Sequence, residues 1–412
     1  MLTKAPRGTK DILPDEVYKW RYVENIIHDV CALFGYGQIR VPVFEHTELF
    51  ERGVGDTTDI VQKEMYTFID KGGRSITLRP EGTSGVVRAY IENNLYAAAA
   101  PSKLYYIMSC YRYEKPQAGR LREFNQFGIE LFGTKLPQSD AEVIALATQF
   151  MQKLGLKDAE LYINSVGCGE CRPDYNKKLI EYFEQYKDKL CQTCLTRLEK
   201  NPMRIIDCKN KTCKKIGEGA PMLIDEQCDS CKSHFNDVQR FLGLANVKFG
   251  IDPTIVRGLD YYTTTVFEIK YNGVVICGGG RYNSLVEQVG GPPTPGVGFG
   301  LGLERLIIVL NENNLFPKMA DAVTIYIAPI GEGANNKAFE LIQQLRSDGI
   351  NAQSDLMGRS LKAQMKYADK IGAKFVLVIG DDEISAGEGN LKDMQTGIEK
   401  AVKLKDLSDK MK

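Results

Sequence analysis

Histidine is scarce in this chain of 412 residues: His28, His46 and His234 are the whole complement, far apart in sequence. Catalysis built on an imidazole base or nucleophile is therefore not expected. An excess of either charge is missing too. Lysine and arginine total 53, as do aspartate and glutamate, so no global field draws the chain onto nucleic acid or an anionic membrane. Neutrality still leaves room for an RNA partner, since a local basic groove needs no net charge. No apolar run reaches the roughly 20 residues that cross a bilayer, and the basic start has no apolar stretch behind it. Neither a membrane nor export is expected, which leaves the cytoplasm. Two nucleotide signatures are also absent, the GxGxxG turn and the GxxxxGK[ST] phosphate loop.

What remains, 43% apolar and 26% charged residues, suits a globular protein long enough for two or three domains. The eleven cysteines are uneven. Cys31, Cys110 and Cys277 stand alone and read as buried thiols. The others crowd together as Cys168-x-x-Cys171, Cys191-x-x-Cys194, Cys208-x-x-x-x-Cys213 and Cys228-x-x-Cys231. Under reducing conditions such short-spaced pairs argue for metal thiolates before disulfides. Two pairs supply one tetrahedral zinc site and four supply two, although spacing leaves open which pairs share a metal.

Residues 15–34 carry Val17, Trp20, Val23, Ile27, Val30 and Phe34 at helical steps, with Asp15 as N-cap and Gly35 as the stop. A strand at 38–44 is broken by Pro42, which belongs at an edge or an interface. A short strand at 74–78, a helix at 84–93, long strands at 104–114 and 121–132, and a helix at 139–154 follow. The stretch 167–240 reads as an inserted helical module, more polar than its flanks. Strands at 266–271 and 274–277 flank Asn272-Gly273, a strong hairpin signal. Glycine then occupies every second position from Gly296 to Gly302, before a helix at 303–311. Beyond Pro317, strand and helix alternate at 322–327, 338–347, 351–354, 361–371 and 375–379, with Gly349 and Gly372 at helix ends. That is a β-α-β-α-β unit wanting a parallel or mixed sheet. An antiparallel α+β body, 1–166 and 241–320, carrying an insert at 167–240, thus precedes a small α/β domain at 322–412.

On the first long strand Leu104, Tyr106, Met108, Cys110, Arg112 and Glu114 share a face; on the second, Arg122, Phe124, Gln126, Gly128 and Glu130 do. Brought together they form either a charged binding surface or a solvated outer face with cross-strand ion pairs. Tyr105, Ile107, Tyr111, Asn125, Phe127, Ile129 and Leu131 are the core-like set. Four further segments favour a site: Arg79-Pro80-Glu81-Gly82-Thr83, Arg257-Gly258-Leu259-Asp260-Tyr261-Tyr262, Gly278-Gly279-Gly280-Arg281-Tyr282 and Gly298 through Arg305. Each mixes charge or phenol with glycine that lets a partner approach the backbone.

Together these segments resemble a class II aminoacyl-tRNA synthetase, and within that class the histidyl-tRNA synthetase family. Helix 15–34 with the strand through Pro42 is similar to motif 1, Tyr111 through Phe124 to motif 2, and Gly298 through Arg305 to motif 3. Arg257 through Tyr262 and Gly279-Gly280-Arg281-Tyr282 look like the two histidine-specific signatures. The resemblance covers nearly the whole chain. It implies an antiparallel catalytic core, an anticodon-binding domain at 322–412, a homodimer through the motif 1 region, and ATP with Mg²⁺, L-histidine and tRNA(His) as cofactors and partners.

The resemblance also implies roles. Arg112 would clamp the α-phosphate and Arg305 the γ-phosphate, while Arg257 neutralises charge at the reacting centre. Glu114 and Phe124 would hold the adenine, with Arg120 and Arg122 completing the ATP set. Glu130 and Tyr262 would meet the imidazole nitrogens, and Glu81, Thr83 and Gln126 the α-amino end. Tyr261 and Tyr282 would close the pocket. Zinc in the insert is not part of the resemblance and rests on cysteine spacing alone. The rival is a catalytically inactive regulatory paralogue that binds a partner enzyme. Such relatives usually lack the last domain and erode the ATP-binding arginines, all of which are present here.

Overall fold

Proline decides where the first helix begins. The helix spans Pro14–Leu33, with Leu13 as N-cap and Pro14 in its first turn, not Asp15 as N-cap. Proline has no N–H to lose there, and Asp15 and Glu16 instead face the positive end of the helix dipole. Gly35 ends the helix at φ +73°, as expected. The computed structural model describes residues 3–55, 58–318 and 323–411. Met1, Ala320, Ala322 and Lys412, which bound the expected domains, lie outside the described residues. Contacts divide the chain into two units, Met1–Phe316 and Pro317–Lys412.

The first unit is built on an eight-stranded sheet. In spatial order its strands are Gly37–Gln38, Ser102–Tyr111, Glu123–Phe132, Gly296–Gly302, Val274–Tyr282, Thr263–Tyr271, Glu160–Ser165 and Gly250–Ile251. All pairings are antiparallel except those at the two edges. Alternation sorts the side chains as the sequence suggests. Tyr105, Phe127, Ile129 and Leu131 are buried in one core with Phe267, Val297 and Phe299. Helices Pro14–Leu33, Pro137–Lys153, Asp229–Leu244 and Leu303–Glu312 contribute to that core through Val23, Phe150, Val238 and Leu306. The opposite face is left for function.

Three expectations change here. The strand expected at 38–44 splits between two sheets, Gly37–Gln38 and Phe44–His46. Pro42 has no N–H to pair, and the Val41 and Pro42 carbonyls accept Arg79 Nη1 at 2.8 and 3.0 Å. The two long strands stop at Tyr111 and restart at Glu123, because Tyr113 N–H leaves the ladder for the Glu64 carbonyl at 2.6 Å. The strand expected at 274–277 runs on to Tyr282, so the glycine run lies within the sheet. Strands Tyr66–Ile69 and Glu160–Ser165 lie outside the elements expected from the sequence.

Within 167–240 lie helices Cys171–Glu184, Gln192–Lys200 and Lys211–Gly217. Helix Asp229–Leu244 crosses the expected boundary at 240 and buries Phe235, Val238 and Leu242 in the main core. Tyr175, Leu179, Phe183, Met203 and Ile205 form an apolar cluster continuous with Tyr261 and Tyr262, so the stretch is less polar inside than its composition suggests. In the second unit the strand order is Ala352–Ser354, Val323–Pro329, Ala373–Ile379, Glu388–Asp393, Glu399–Lys403. The first three are parallel and the last two antiparallel, a mixed sheet with its own core around Ile325, Leu341 and Leu377. Among the described residues no helix is long and apolar enough to cross a membrane.

Arg281, from one of the sequence signatures, is fully buried and binds helix Pro137–Lys153 to the sheet. Its Nη2 donates to Asp140 Oδ2 at 2.5 Å and to Ser139 Oγ at 2.7 Å, and its Nη1 to the Thr134 carbonyl at 2.8 Å. Burial alone would raise the Asp140 carboxyl, but the Arg281 cation holds it below the ordinary carboxylate value. Removing one charge strands the other in the interior. Asp140→Asn should therefore cost the first unit about 3–5 kcal/mol, read from its urea transition; a loss under about 1 kcal/mol, the size of a surface pair, would contradict this reading.

Candidate active site

Glycine shapes the functional face. A Cβ on Gly296, Gly298 or Gly300 would run into the Tyr282 ring, the Glu130 carboxylate and the Gln126 amide in turn. Gly278 on the neighbouring strand leaves room for the Arg257 guanidinium, and Gly82 and Gly128 make a slot for the Tyr106 ring. None of the six has a positive φ, so the requirement is for space and not for backbone freedom. The alternating glycines read from the sequence are thus a floor on which larger side chains lie.

Two cavities share Arg112, Gln126, Arg257, Gly258, Gly278 and Gly300 as walls. The smaller, about 150 Å³, is lined by Glu81, Thr83, Tyr106, Tyr261 and Tyr262. Its polar end is tied to the start of helix Thr83–Glu92. Thr83 N–H donates to Glu81 Oε2 at 2.7 Å, Ser84 N–H to Glu81 Oε1 at 2.8 Å, and Gly82 N–H to Gln126 Oε1 at 2.9 Å. Burial pushes the Tyr262 phenol up to about 12, so it stays a hydrogen-bond donor at neutral pH.

The larger cavity, about 490 Å³, is lined by Arg112, Arg120, Arg257 and Arg305 among carboxylates and apolar groups. Each of three arginines is held by one bond that leaves part of its fork available. Arg112 Nε donates to the Pro80 carbonyl at 2.7 Å, Arg257 Nη1 to Glu268 Oε1 at 2.5 Å, and Arg305 Nη1 to the Val275 carbonyl at 2.7 Å. The Arg112 guanidinium also lies 5.2 Å from the centre of the Phe124 ring. Burial, and after it the Arg120 cation, lowers Arg305 below its ordinary value. An anion bound among these groups would relieve that crowding. Oxygen donors of the kind Mg²⁺ takes, Glu64 and Glu114, stand in the same wall.

Most of the sequence-derived residues line one cavity or both: Glu81, Thr83, Arg112, Glu114, Arg120, Phe124, Gln126, Arg257, Tyr261, Tyr262 and Arg305. Three do not. Arg122 stacks on the Tyr113 ring at 3.8 Å, its stem packed on Gly8, because its backbone N–H is drawn to the Gly8 carbonyl at 2.7 Å. Glu130 and Tyr282, each 1% exposed, lie behind the smaller cavity. The Tyr282 hydroxyl donates to Glu130 Oε2, and the Tyr106 hydroxyl to Oε1 at 3.4 Å. Tyr106, Glu64, Glu268, Asp207 and Lys209 line the cavities without having been singled out. Tyr106 was legible as a neighbour of Arg112 on the same strand face, and Glu268 sits opposite Gly278 in the ladder. Glu64, Asp207 and Lys209 arrive from outside the sheet and carry no local signal.

The eight clustered cysteines form two groups able to hold a metal ion: Cys168, Cys171, Cys228 and Cys231, and Cys191, Cys194, Cys208 and Cys213.

Comparison with known proteins gives a consistent picture. A family model for histidyl-tRNA synthetase matches residues 8–170 and 181–306, and one for an anticodon binding domain matches 324–412. The chain is 56% identical to the histidine–tRNA ligase of Acetivibrio thermocellus, covering 100% of each chain. It is 56% identical to that of Clostridioides difficile, covering 100% of this chain and 99% of the relative. It is similar to the crystal structure of apo histidyl-tRNA synthetase from S. aureus, at 40% identity and a TM-score of 0.85 over 99% of each chain. A Bacillus halodurans structure described as an ATP phosphoribosyltransferase regulatory subunit/histidyl-tRNA synthetase shares 23% identity with a TM-score of 0.67, a likeness of fold alone.

The Glu130 carboxyl makes a testable signature of the floor. Burial, against the hydrogen bonds from Tyr282 and Thr83, pushes it from 4.5 up to about 8. Between those values the folded protein keeps a proton that the unfolded chain has lost, so stability contributed by this group falls as pH rises from 4.5 to about 8. Glu130→Gln should flatten that decline. Relative to the parent, its urea midpoint should rise between pH 5 and pH 8, whereas parallel pH profiles would show that the carboxyl titrates normally.

Proposed function

The chain belongs to the histidyl-tRNA synthetase family, and from that membership we infer that it activates L-histidine with ATP and esterifies tRNA(His). The observation that carries the reading is the pair of adjoining cavities, one of amino-acid size and polar, the other arginine-lined, meeting at Arg112 and Arg257.

The histidine carboxylate attacks the α-phosphorus of ATP in line; the bond to the departing pyrophosphate breaks, leaving histidyl-adenylate. The 3′-terminal hydroxyl of tRNA(His) then attacks the acyl carbon, and AMP leaves. A carboxylate is already ionised at neutral pH, so the first step needs no general base, which suits a chain so poor in histidine. It needs alignment and positive charge instead. Arg112 holds the α-phosphate, Arg305 the γ-phosphate, and Arg257 meets the charge that grows between the two cavities. Phe124 stacks on adenine, with Glu114 and Arg120 beside it. Glu64 and Glu114 would hold Mg²⁺ as oxygen ligands, and the ion would supply positive charge against the phosphates.

Histidine is selected by polar groups that an aliphatic side chain would leave unpaired. Tyr262 meets the imidazole directly, and Glu130 acts on it through the Tyr106 hydroxyl. Glu81, Thr83 and Gln126 take the α-amino end, Tyr261 lines the pocket and Tyr282 braces Glu130. The enzyme works as a homodimer through the Pro14–Leu33 region. Support comes from the three-stranded sheet of Phe44–His46, Ser75–Leu78 and Tyr66–Ile69, where Phe44, Phe68 and Ile69 are 46–66% exposed and want an apolar partner. The clustered cysteines are zinc ligands, in keeping with a reducing cytoplasm and with eleven free thiols. The regulatory alternative has no support: the arginines and the last domain are kept.

Purified protein should catalyse ATP–pyrophosphate exchange with histidine and with no other amino acid; folded protein that binds histidine without exchange would overturn the assignment. Arg257→Ala should lower exchange by about 10²–10³-fold with little change in histidine affinity, and near-normal exchange would remove Arg257 from the mechanism. A chain ending at Phe316 should retain exchange and lose tRNA charging, since 317–412 has its own core. Equal loss of both, with the truncated chain folded, would contradict that division.

A further inference from the structure

The cysteine sets are nested. Cys168, Cys171, Cys228 and Cys231 enclose in sequence the set Cys191, Cys194, Cys208 and Cys213, and within each set all four Sγ atoms lie within 4.8 Å of one another. Cys168 Sγ is 3.7 Å from Cys171 Sγ and 3.9 Å from Cys228 Sγ. Cys171 and Cys231 are 3.6 Å apart, and Cys191 and Cys208 are 3.9 Å apart. A zinc–thiolate bond of about 2.3 Å makes a tetrahedron with edges of about 3.8 Å, whereas a disulfide brings sulfurs to about 2.05 Å. The backbone is arranged for sulfur carrying charge. Cys228 N–H points at Cys171 Sγ at 3.2 Å, Cys191 N–H at Cys213 Sγ at 3.2 Å, and Asn210 N–H at Cys208 Sγ at 3.5 Å.

The outer set closes the neck where the insert leaves and rejoins the body. The inner set does something else. It brackets residues 201–209, an arm that reaches back to the active-site face. Asn201 Nδ2 donates to Asp260 Oδ1 at 3.0 Å, and Arg204 Nη1 to the Arg257 carbonyl at 3.4 Å. Cys208 stands between Asp207 and Lys209, both of which line the larger cavity. The elements carrying the inner cysteines are short, Gln192–Lys200 of nine residues and Lys211–Gly217 of seven, below the length at which a helix stands alone.

We propose that each set binds its own zinc ion, and that the inner ion fastens the 201–209 arm so that Asp207 and Lys209 are presented to the nucleotide. This rests on the larger cavity being the ATP site. Coordination requires thiolates, so the displaced thiol protons pass to solvent and no oxidant is involved. An ammonium beside Cys208 adds a cation for the phosphates that motif residues do not supply, and the metal sets where it points.

Elemental analysis of full-length protein purified without chelator should find two zinc ions per chain, and Cys208→Ser/Cys213→Ser protein should hold one. In that variant, amide exchange of residues 201–209 should quicken. The KM for ATP should rise about tenfold, the scale on which metal-supporting groups act, while the histidine KM changes little. If the variant does not fold, graded release of zinc from the parent with a mercurial thiol reagent, followed by the same exchange measurement, takes its place. Metal-free parent protein with an ordered insert would overturn both sites. Loss of one zinc with unchanged exchange in 201–209 and unchanged KM for ATP would overturn the fastening role. Two zinc ions and metal-dependent exchange in a protein without histidine-dependent activity would leave the metal sites standing and fault the functional reading instead.

Discussion

Room above an antiparallel sheet is the constraint on which this active site depends. Strands carrying ordinary side chains on both faces would fill the space proposed for histidine and ATP. Here one face keeps Phe127, Ile129, Val297 and Phe299 and packs on helices, with each large apolar side chain worth about 1.5–3 kcal/mol on burial. The other face gives up side chains at Gly278, Gly296, Gly298 and Gly300. Glycine in a strand weakens it by roughly 0.5–1 kcal/mol, and the apolar face supplies the surplus that makes the concession tolerable. Tyr282, Glu130, Gln126 and Arg257 then lie down on the vacated floor instead of standing off it.

Charge is managed by the same architecture. Arg281, deep in the fold, has its guanidinium saturated by Asp140, Ser139 and Thr134 and serves only to join helix to sheet. Arg112, Arg257 and Arg305 are each anchored by a single bond at one nitrogen, and line a cavity. Arginine in one chain is thus structural or chemical according to how much of its fork is already used. Fixed cations in a walled cleft need little reorganisation when an anion binds, which is where such sites gain their rate.

Much of this was legible in the sequence, for identifiable reasons. Strand alternation predicts which residues of 102–111 and 123–132 share a face, since a period of two leaves no freedom once one face is apolar. Asn272-Gly273 announces its hairpin because both residues take positive φ, +49° and +74°. The glycine ladder announces closeness to something, though not that the something is Tyr282, Glu130 and Gln126 of the same chain. Arg281 looks like a site residue because composition cannot tell a free guanidinium from a saturated one, and Arg122 because composition does not show the Tyr113 ring on which it stacks. Glu64, Asp207 and Lys209 stay hidden because they enter from segments whose position is decided by long-range packing. The cysteines reveal pairs but not partners; the nesting of the sets emerges only when the helices are in place.

The central claim is that the missing side chain at Gly300, on a wall shared by both cavities, serves histidine recognition and not the fold. Gly300→Ala separates the two directly. Its backbone is unstrained, and the added Cβ meets Gln126 Nε2 at 2.9 Å, the movable end of a flexible side chain, with no backbone clash among its nearest neighbours. The decisive measurement is the KM for histidine in ATP–pyrophosphate exchange, taken beside the thermal midpoint of the same protein. A displaced Gln126 should raise that KM about tenfold or more, the scale of one lost polar contact in a buried site, with the midpoint nearly unchanged. An unchanged KM for histidine would contradict the claim, as would a collapse of the midpoint that accounts for the lost activity.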